Sequence, residues 1–339
     1  MGCEGIFLRT PFFVGRRFSP PVLLGTIAYM NNEKPIVLGL WPIAGVTTVG
    51  VTRSDAEATI AAAIELGVTV FDTAFSYGYD GESDKLLRPF LAKDRDRFKV
   101  IGKVGQRWSS DRQRIVDGTA ESLTADAEES LRRLGIDCFD VLMLHSPDPK
   151  VAIETSAAAM AQLQRRGLCK RTGVSNVTPT QRAQFAAVVR CDAIECPLNL
   201  LQRDSLDQLI PEASADGGEV YVFWTLMKGL LAGKIKRDHV FAKGDSRPGY
   251  PIFQGKARER THQILDQMQE LGERVDRSVA QLSIGWAVSQ PGVIAALVGA
   301  RRPEQIRETC TATRLPPEIV AELDRIVAST NAEASEVDS

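Results

Sequence analysis

From about residue 35 the chain alternates between two hydrophobic rhythms. Short, nearly unbroken apolar runs lead into loops, and the loops lead into stretches where apolar positions return every three or four residues. The runs are IVLGL (36–40), VTVFDT (68–73), FKVIGKV (98–104), FDVLMLH (139–145), RTGVSN (171–176), DAIECP (192–197), EVYVFW (219–224) and IAALVGA (294–300). Their length and β-branched content predict strands. The intervening segments DAEATIAAAIEL, GTAESLTADAEESLRRLG and AIETSAAAMAQLQRRG predict amphipathic helices, and in the last of them Ala152, Ala159, Met160 and Leu163 fall at helical spacing. Several helices run into glycine, which readily takes the left-handed conformation that stops a helix. Strands that are apolar almost throughout are buried on both faces, which predicts a parallel sheet covered by helices.

About eight such units in one chain predict an α/β fold of the (β/α)₈ TIM-barrel type, which typically needs about 250 residues. A doubly wound sheet is the competitor, but it would carry a glycine-rich phosphate loop after its first strand, and LGLWPIAG lacks the GxGxxG spacing. The expected organisation is an N-terminal extension over 1–33, a single barrel domain over 34–329 and a C-terminal tail over 330–339. The extension, with RTPFFVGRRFSPPVLLGTIAYM, mixes basic, apolar and proline residues. It makes a poor secretory signal, and Ile6 in MGCEGI stands where a myristoylation motif needs Ser or Thr. A dispensable segment with Met30 as the working start is expected, with a hairpin across the barrel bottom as the alternative.

Composition narrows the function classes. Of 339 residues, 44% are hydrophobic and 25% charged, as in a soluble globular protein. The net charge of −2 is spread without long blocks of either sign, which argues against a nucleic-acid partner. No apolar run reaches the length of a membrane span. The six cysteines (Cys3, Cys138, Cys169, Cys191, Cys196, Cys310) show no CxxC spacing, so a reducing, cytoplasmic setting is expected and a metal site is not. Only His145, His239 and His262 could supply imidazole chemistry.

If the fold is a barrel, chemistry belongs at the C-terminal ends of its strands. Asp72 ends the second run and Tyr77 follows in its loop; Lys103 lies near the end of the third; His145 closes the fourth. Each has an ordinary explanation by itself: a buried ion pair for Lys103 with Asp72, packing for Tyr77, a satisfied core position for His145. Their convergence on one face points instead to acid–base chemistry. Lys103 is expected to favour the phenolate and bring the Tyr77 pKa down towards neutrality, and His145 to donate a second hydrogen bond to the same oxygen.

The ordered set GVTVFDTAFSYG, FKVIGKVG, ESLRRLGIDCFDVLMLHSPDP, RTGVSN and LVGARRPEQIRET resembles the aldo-keto reductases over about residues 36–325. The resemblance implies that Asp72, Tyr77, Lys103 and His145 form a catalytic tetrad and that the cofactor is NADP(H). Leu40, Trp41 and Asp72 would border the cofactor, and Ser175 and Asn176 would touch the nicotinamide carboxamide. Glu195 stands where the family has glutamine and Leu198 where it has tyrosine. A carboxylate there accepts from the carboxamide NH₂ but cannot donate to its C=O. Phe223, with Trp224 as the alternative, would stack on the nicotinamide. Leu226, Lys228, Gly229 and Lys234 would face the pyrophosphate, and Arg247 would belong to a loop folded over the dinucleotide. Gly299, Arg301, Gln305, Glu308 and Thr309 would surround the adenosine, Thr309 replacing the usual asparagine. The paired Arg301 and Arg302 suit a 2′-phosphate.

The expected activity is therefore reduction of an aldehyde or ketone to an alcohol, on a small-molecule carbonyl substrate lodged in a mouth lined by Trp41, Tyr79 and Trp108. Two rivals are a cofactor-sensing binding protein resembling potassium-channel β subunits, and a Schiff-base barrel built on Lys103. The family's intact histidine at position 145 weighs against the first. Asp72, which would hold the lysine protonated, weighs against the second.

Overall fold

The computed structural model describes residues 34–46 and 50–337; the expectations for residues 1–33, Met30 and Cys3 lie outside them. Ten strands are present among the described residues: β1 (Ile36–Gly39), β2 (Val70–Asp72), β3 (Lys99–Val104), β4 (Gln106–Trp108), β5 (Arg114–Val116), β6 (Phe139–Leu144), β7 (Cys169–Ser175), β8 (Ala193–Pro197), β9 (Glu219–Phe223) and β10 (Val293–Gly299). Eight close into a parallel barrel in the order β1-β10-β9-β8-β7-β6-β3-β2. The barrel closes because β1 pairs with both β10 and β2. All eight strands lie on the predicted apolar runs. The remaining pair, β4 and β5, is an antiparallel hairpin after β3 in which Trp108 faces Arg114; nothing in the apolar pattern announces it.

The helices are α1 (Arg53–Glu65), α2 (Glu82–Leu91), α3 (Ala120–Leu134), α4 (Ile153–Arg165), α5 (Pro179–Ala186), α6 (Leu209–Ala215), α7 (Gly255–Val275), α8 (Val279–Val288), α9 (Pro303–Thr309) and α10 (Pro317–Val337). Capping boxes start three of them: Thr52 with Asp55, Thr178 with Gln181, and Ser278 with Gln281. Each exchange satisfies two backbone or side-chain groups that a helix start leaves open. Gly135 ends α3 in the left-handed conformation (φ 71°). The helix α10 continues to Val337, so the tail boundary expected at 329 falls inside a helix.

Side-chain parity decides where the site forms. One buried cluster joins Val37, Ile101, Val141, Met143, Ala193, Tyr221, Ala295 and Leu297, with Val70 and Phe223 packed against it. These residues fill the barrel interior, while the other faces of the same strands join the helices in the main core. Successive side chains on a strand alternate faces, so two residues beyond an interior position lies another. Counting two from Val70, Ile101, Met143, Ala193 and Tyr221 gives Asp72, Lys103, His145, Glu195 and Phe223. The apolar layer thus carries a polar layer on top of it, at the C-terminal end of the barrel.

Candidate active site

The floor of the site is an ion cluster closed to water. Asp72, Lys103 and Glu195 have side chains 1–2% exposed. The Lys103 ammonium donates to Asp72 Oδ1 and lies 3.2 Å from Glu195 Oε2. Two carboxylates therefore share one cation, and Glu195 Oε1 has no hydrogen-bond partner. The sequence does not signal the association of Glu195 with Lys103; there the residue is expected only against the carboxamide.

Tyr77 hangs over this floor on a braced loop. Its N–H donates to the Ala74 carbonyl at 2.9 Å, and its own carbonyl accepts from the Ser83 hydroxyl at 3.0 Å. Behind it, Thr73 donates to Asp84 Oδ1 (2.6 Å) and Ser130 to Asp84 Oδ2 (2.5 Å). Burial pushes the Asp84 carboxyl up to about 6. Gly78 turns the chain at φ +102°, and a Cβ there would strike Glu82, so only glycine lets the loop close. The Tyr77 hydroxyl donates to Asp72 Oδ2 at 3.3 Å, and the Lys103 ammonium lies 5.0 Å from the Tyr77 ring centre. The rings of Trp41 and His145 pack edge-on at 5.2 and 5.8 Å. The four residues expected to act together are thus in one place.

The electrostatics correct one expectation. Burial, then the charge of Asp72, raise the Tyr77 pKa above its ordinary value, outweighing the opposing pull of Lys103. The phenol is not tuned towards neutrality, because burial and the Asp72 carboxylate together outweigh the Lys103 ammonium. Burial works to discharge Lys103, but Asp72 and Glu195 overcome it and hold the ammonium firmly protonated. Burial first, then Asp72, push the Glu195 carboxyl up to about 8, with Lys103 opposing. His145, 7% exposed, is kept neutral by burial and by the charges of Lys103 and Arg114. Its Nδ1 has no partner.

The residues expected around a cofactor are distributed along the neighbouring strand ends. Leu40 is fully buried and its N–H donates to the Asp72 carbonyl at 3.0 Å. Asn176, at φ 58°, donates from Nδ2 to the His145 carbonyl (3.0 Å) and to Ser175 Oγ (3.1 Å). Phe223 belongs to the interior layer, whereas Trp224 is 39% exposed and packs on Tyr250. Leu226 leads into three consecutive left-handed residues, Met227, Lys228 and Gly229 (φ 43°, 53° and 92°). For the two that carry side chains this is strained backbone, costing on the order of 1–3 kcal/mol each. The Lys228 ammonium stands 4.4 Å from the Tyr250 ring centre. Beside it Trp224, Met227, Tyr250 and Phe253 line a cavity of about 360 Å³.

At the far end, several of the expected contacts are already engaged within the protein. Lys234 lies 3.4 Å from Glu308, and Arg247 grips Asp245 through its guanidinium. Thr309 is 5% exposed and its hydroxyl donates back to the Gln305 carbonyl, so it serves its own helix. Gly299 accommodates the Pro42 ring, which a Cβ would meet at 2.5 Å. Arg302 reaches Asp55 at 3.5 Å. Arg301 has no carboxylate within ion-pair distance among the described residues, though its backbone N–H is held by Gln305 at 2.8 Å. Burial and the like charges of Arg247 and Arg302 lower its pKa.

Two features escaped the sequence reading. Arg114, in the stretch DRQRIV, is exposed but set by the hairpin beside the site: its guanidinium lies 4.9 Å from the Trp108 ring centre and 5.2 Å from that of Trp41. Tyr250 arrives from a loop with no sequence signature of its own. Among the described residues there is no grouping of His, Cys, Asp and Glu that could hold a metal, and no helix is long and apolar enough to cross a membrane.

The C-terminal mouth of the parallel barrel thus brings together a tyrosine, a neutral histidine and a lysine–carboxylate cluster. The model of the Aldo/keto reductase family matches residues 35–328. The chain belongs to that family. It is 32% identical to Aldo-keto reductase YhdN of Bacillus subtilis (strain 168), over 80% of this chain and 82% of that one. It is 29% identical to the NADH-specific methylglyoxal reductase of Escherichia coli (strain K12), over 82% and 89% respectively. Among solved structures it superposes on the glycerol dehydrogenase AKR11B4 from Gluconobacter oxydans with a TM-score of 0.81 and 31% identity, covering 87% of this chain and 92% of that one. These relatives are reductases and a dehydrogenase, which does not favour the binding-protein rival.

Proposed function

We propose that this member of the family is an NADP(H)-dependent carbonyl reductase in which Tyr77 is the general acid. The observation that carries the reading is the Tyr77 hydroxyl held above a buried Lys103–Asp72 pair, beside a neutral His145. A nicotinamide cofactor, when bound, supplies the hydride. A substrate carbonyl accepts a hydrogen bond from the Tyr77 hydroxyl and another from the neutral imidazole. As negative charge develops on its oxygen, Tyr77 gives up its proton, and the phenolate left behind faces the Lys103 ammonium. The raised Tyr77 pKa supports this direction of transfer, since the phenol stays protonated through the neutral range.

The fit to a dinucleotide is supported by Glu195 Oε1, which has no hydrogen-bond partner on the floor, by the left-handed backbone of Met227–Gly229, and by the Arg301 guanidinium, which no carboxylate pairs among the described residues. Phe223, two residues beyond Tyr221 on the interior face, is the better placed of the two aromatic candidates for stacking. Arg301 supports a 2′-phosphate and hence NADPH, in contrast to the NADH specificity of the Escherichia coli relative. A charge-assisted contact is worth roughly 1.5–3 kcal/mol, or about ten- to a hundredfold in affinity. Fluorescence titration of the purified protein should give that gap between NADPH and NADH, and Arg301→Ala should narrow it. Equal affinities in the unmodified protein would reject the preference. A panel of aldehydes and ketones, followed at the nicotinamide absorbance band, tests the reaction itself.

A further inference from the structure

The hairpin at the mouth of the barrel carries a cation, Arg114, that no carboxylate pairs among the described residues. The hairpin β4–β5 alternates its side chains like any strand pair. Arg107 and Ile115 face one way, and Arg107 is neutralised by Asp126 at 2.6 Å. Trp108 and Arg114, cross-strand partners, face the other way. The indole N–H of Trp108 donates to the Ser76 carbonyl at 2.9 Å, which ties the hairpin to the residue before Tyr77. Arg114 is then held between two ring faces, Trp108 and Trp41, and Trp41 itself packs edge-on against Tyr77. No carboxylate lies within ion-pair distance of Arg114 among the described residues, and no hydrogen bond occupies its N–H donors there. Through Trp41 it stands one ring away from Tyr77, and its charge is felt at Tyr77, His145 and Tyr250.

Stacking on aromatic rings fixes a guanidinium without using its hydrogen-bond donors. A merely structural arginine would be expected to spend some of them on the protein, as Arg95 does on Asp140 and two backbone carbonyls. Arg114 is exposed and partly covered by the two rings, and its planar fork makes no hydrogen bond among the described residues. Such a fork matches a carboxylate or phosphate in two parallel bonds.

We propose that the preferred substrates are anionic carbonyl compounds, in which a carboxylate or phosphate a few bonds from the reacting carbon is bound by Arg114. Trp41 and Trp108 act as positioning residues for that arginine. This deepens the reductase reading above and rests on it. It separates this chain from what the names of its relatives would suggest, since methylglyoxal and glycerol carry no charge.

The test compares matched pairs with the full chain and either nicotinamide cofactor: succinic semialdehyde with butanal, glyoxylate with methylglyoxal, and phosphorylated with free glyceraldehyde. The expected result is a kcat/KM at least about tenfold higher for the better anionic member, expressed mainly in KM, with the carboxylate and phosphate arms showing which anion is preferred. Arg114→Gln should bring the anionic-to-neutral ratio close to one, and Arg114→Lys should restore only part of it, because an ammonium keeps the charge and loses the fork. Neutral substrates preferred in the unmodified protein, or a ratio unmoved by Arg114→Gln, would overturn the proposal. A second readout does not depend on turnover: quenching of tryptophan fluorescence by succinate but not by succinamide, weakened by salt and lost in Arg114→Gln. Quenching without any carbonyl reduction would sink the reductase reading and leave the anion site standing. Reduction of neutral carbonyls without such quenching would do the reverse.

Discussion

The floor and the rim of this site treat charge in opposite ways. On the floor, Asp72, Lys103 and Glu195 are shut from water and engage one another, two carboxyl groups sharing one ammonium. At the rim, Arg114 and Arg301 have no protein carboxylate in reach among the described residues, and Arg114 and Lys228 lie against aromatic rings instead. The floor is set by strand parity inside a closed barrel and cannot be adjusted piece by piece. The rim is set by a hairpin and loops, where side chains change without disturbing the core. The lesson is a division of labour: below, burial and Asp72 keep the proton on Tyr77 while the carboxyl groups keep Lys103 charged, and above stand the cations proposed to select what is bound.

The sharpest break of that contrast is removal of the floor's cation. Lys103→Met leaves Asp72 and Glu195 facing each other in the dark of the barrel, and breaking a buried pair in this way costs about 3–5 kcal/mol. Denaturant melts should show it as a lower midpoint at neutral pH; an unchanged midpoint would mean that the cluster is not held by the lysine. Next in size is Tyr77→Phe, which should lower carbonyl reduction by at least about a hundredfold while cofactor titrations stay near those of the parent. Full turnover in that variant would remove Tyr77 from the acid's role.

Glu195 sharpens the comparison through pH. Its folded pKa of about 8 lies above the ordinary glutamate value, so the fold holds a proton that the unfolded chain releases. Its contribution to stability is complete below the ordinary value and is lost as pH rises towards about 8. His145 works the other way: it is neutral in the fold, so its effect is confined to pH below its ordinary value of 6.5. Between about pH 6.5 and 8 the slope attributable to Glu195 approaches 1.4 kcal/mol per unit, or about 2 kcal/mol across the window. Unfolding free energies of the parent and Glu195→Gln should diverge by that order as pH rises, the variant being the flatter. Parallel curves would place the proton elsewhere. The smallest effect belongs to the rim, where Arg114→Gln should change stability by no more than about 0.5 kcal/mol. A loss of several kcal/mol there would make the arginine a structural pin.

How much of this was legible beforehand differs between the same two regions. The eight barrel strands stand out because burial on both faces demands continuous apolar runs, a signal local to each segment. Asp72, Tyr77, Lys103 and His145 stand out because a strand end is a place where a charged or aromatic polar residue needs a reason. Glu195 was legible as a substitution but not as a partner of Lys103. The two are 92 positions apart in the chain and meet only because the barrel closes. The direction of the Tyr77 shift is not legible either, since the burial that contributes most to it exists only once the barrel and its loops have closed.

The sequence by itself determined the repeating order of strand and helix, the family, and the identities of the groups able to do acid–base chemistry. Those follow from side-chain period and residue type, which are properties of short segments. The tertiary structure alone decided which charges share a cation, which lie free, and that Arg114 stands between two indoles above Tyr77. These depend on distances between elements remote in the chain and on a hairpin register carried by only three residue pairs. Coulomb and desolvation energies respond to such distances, and no periodicity along the chain records them.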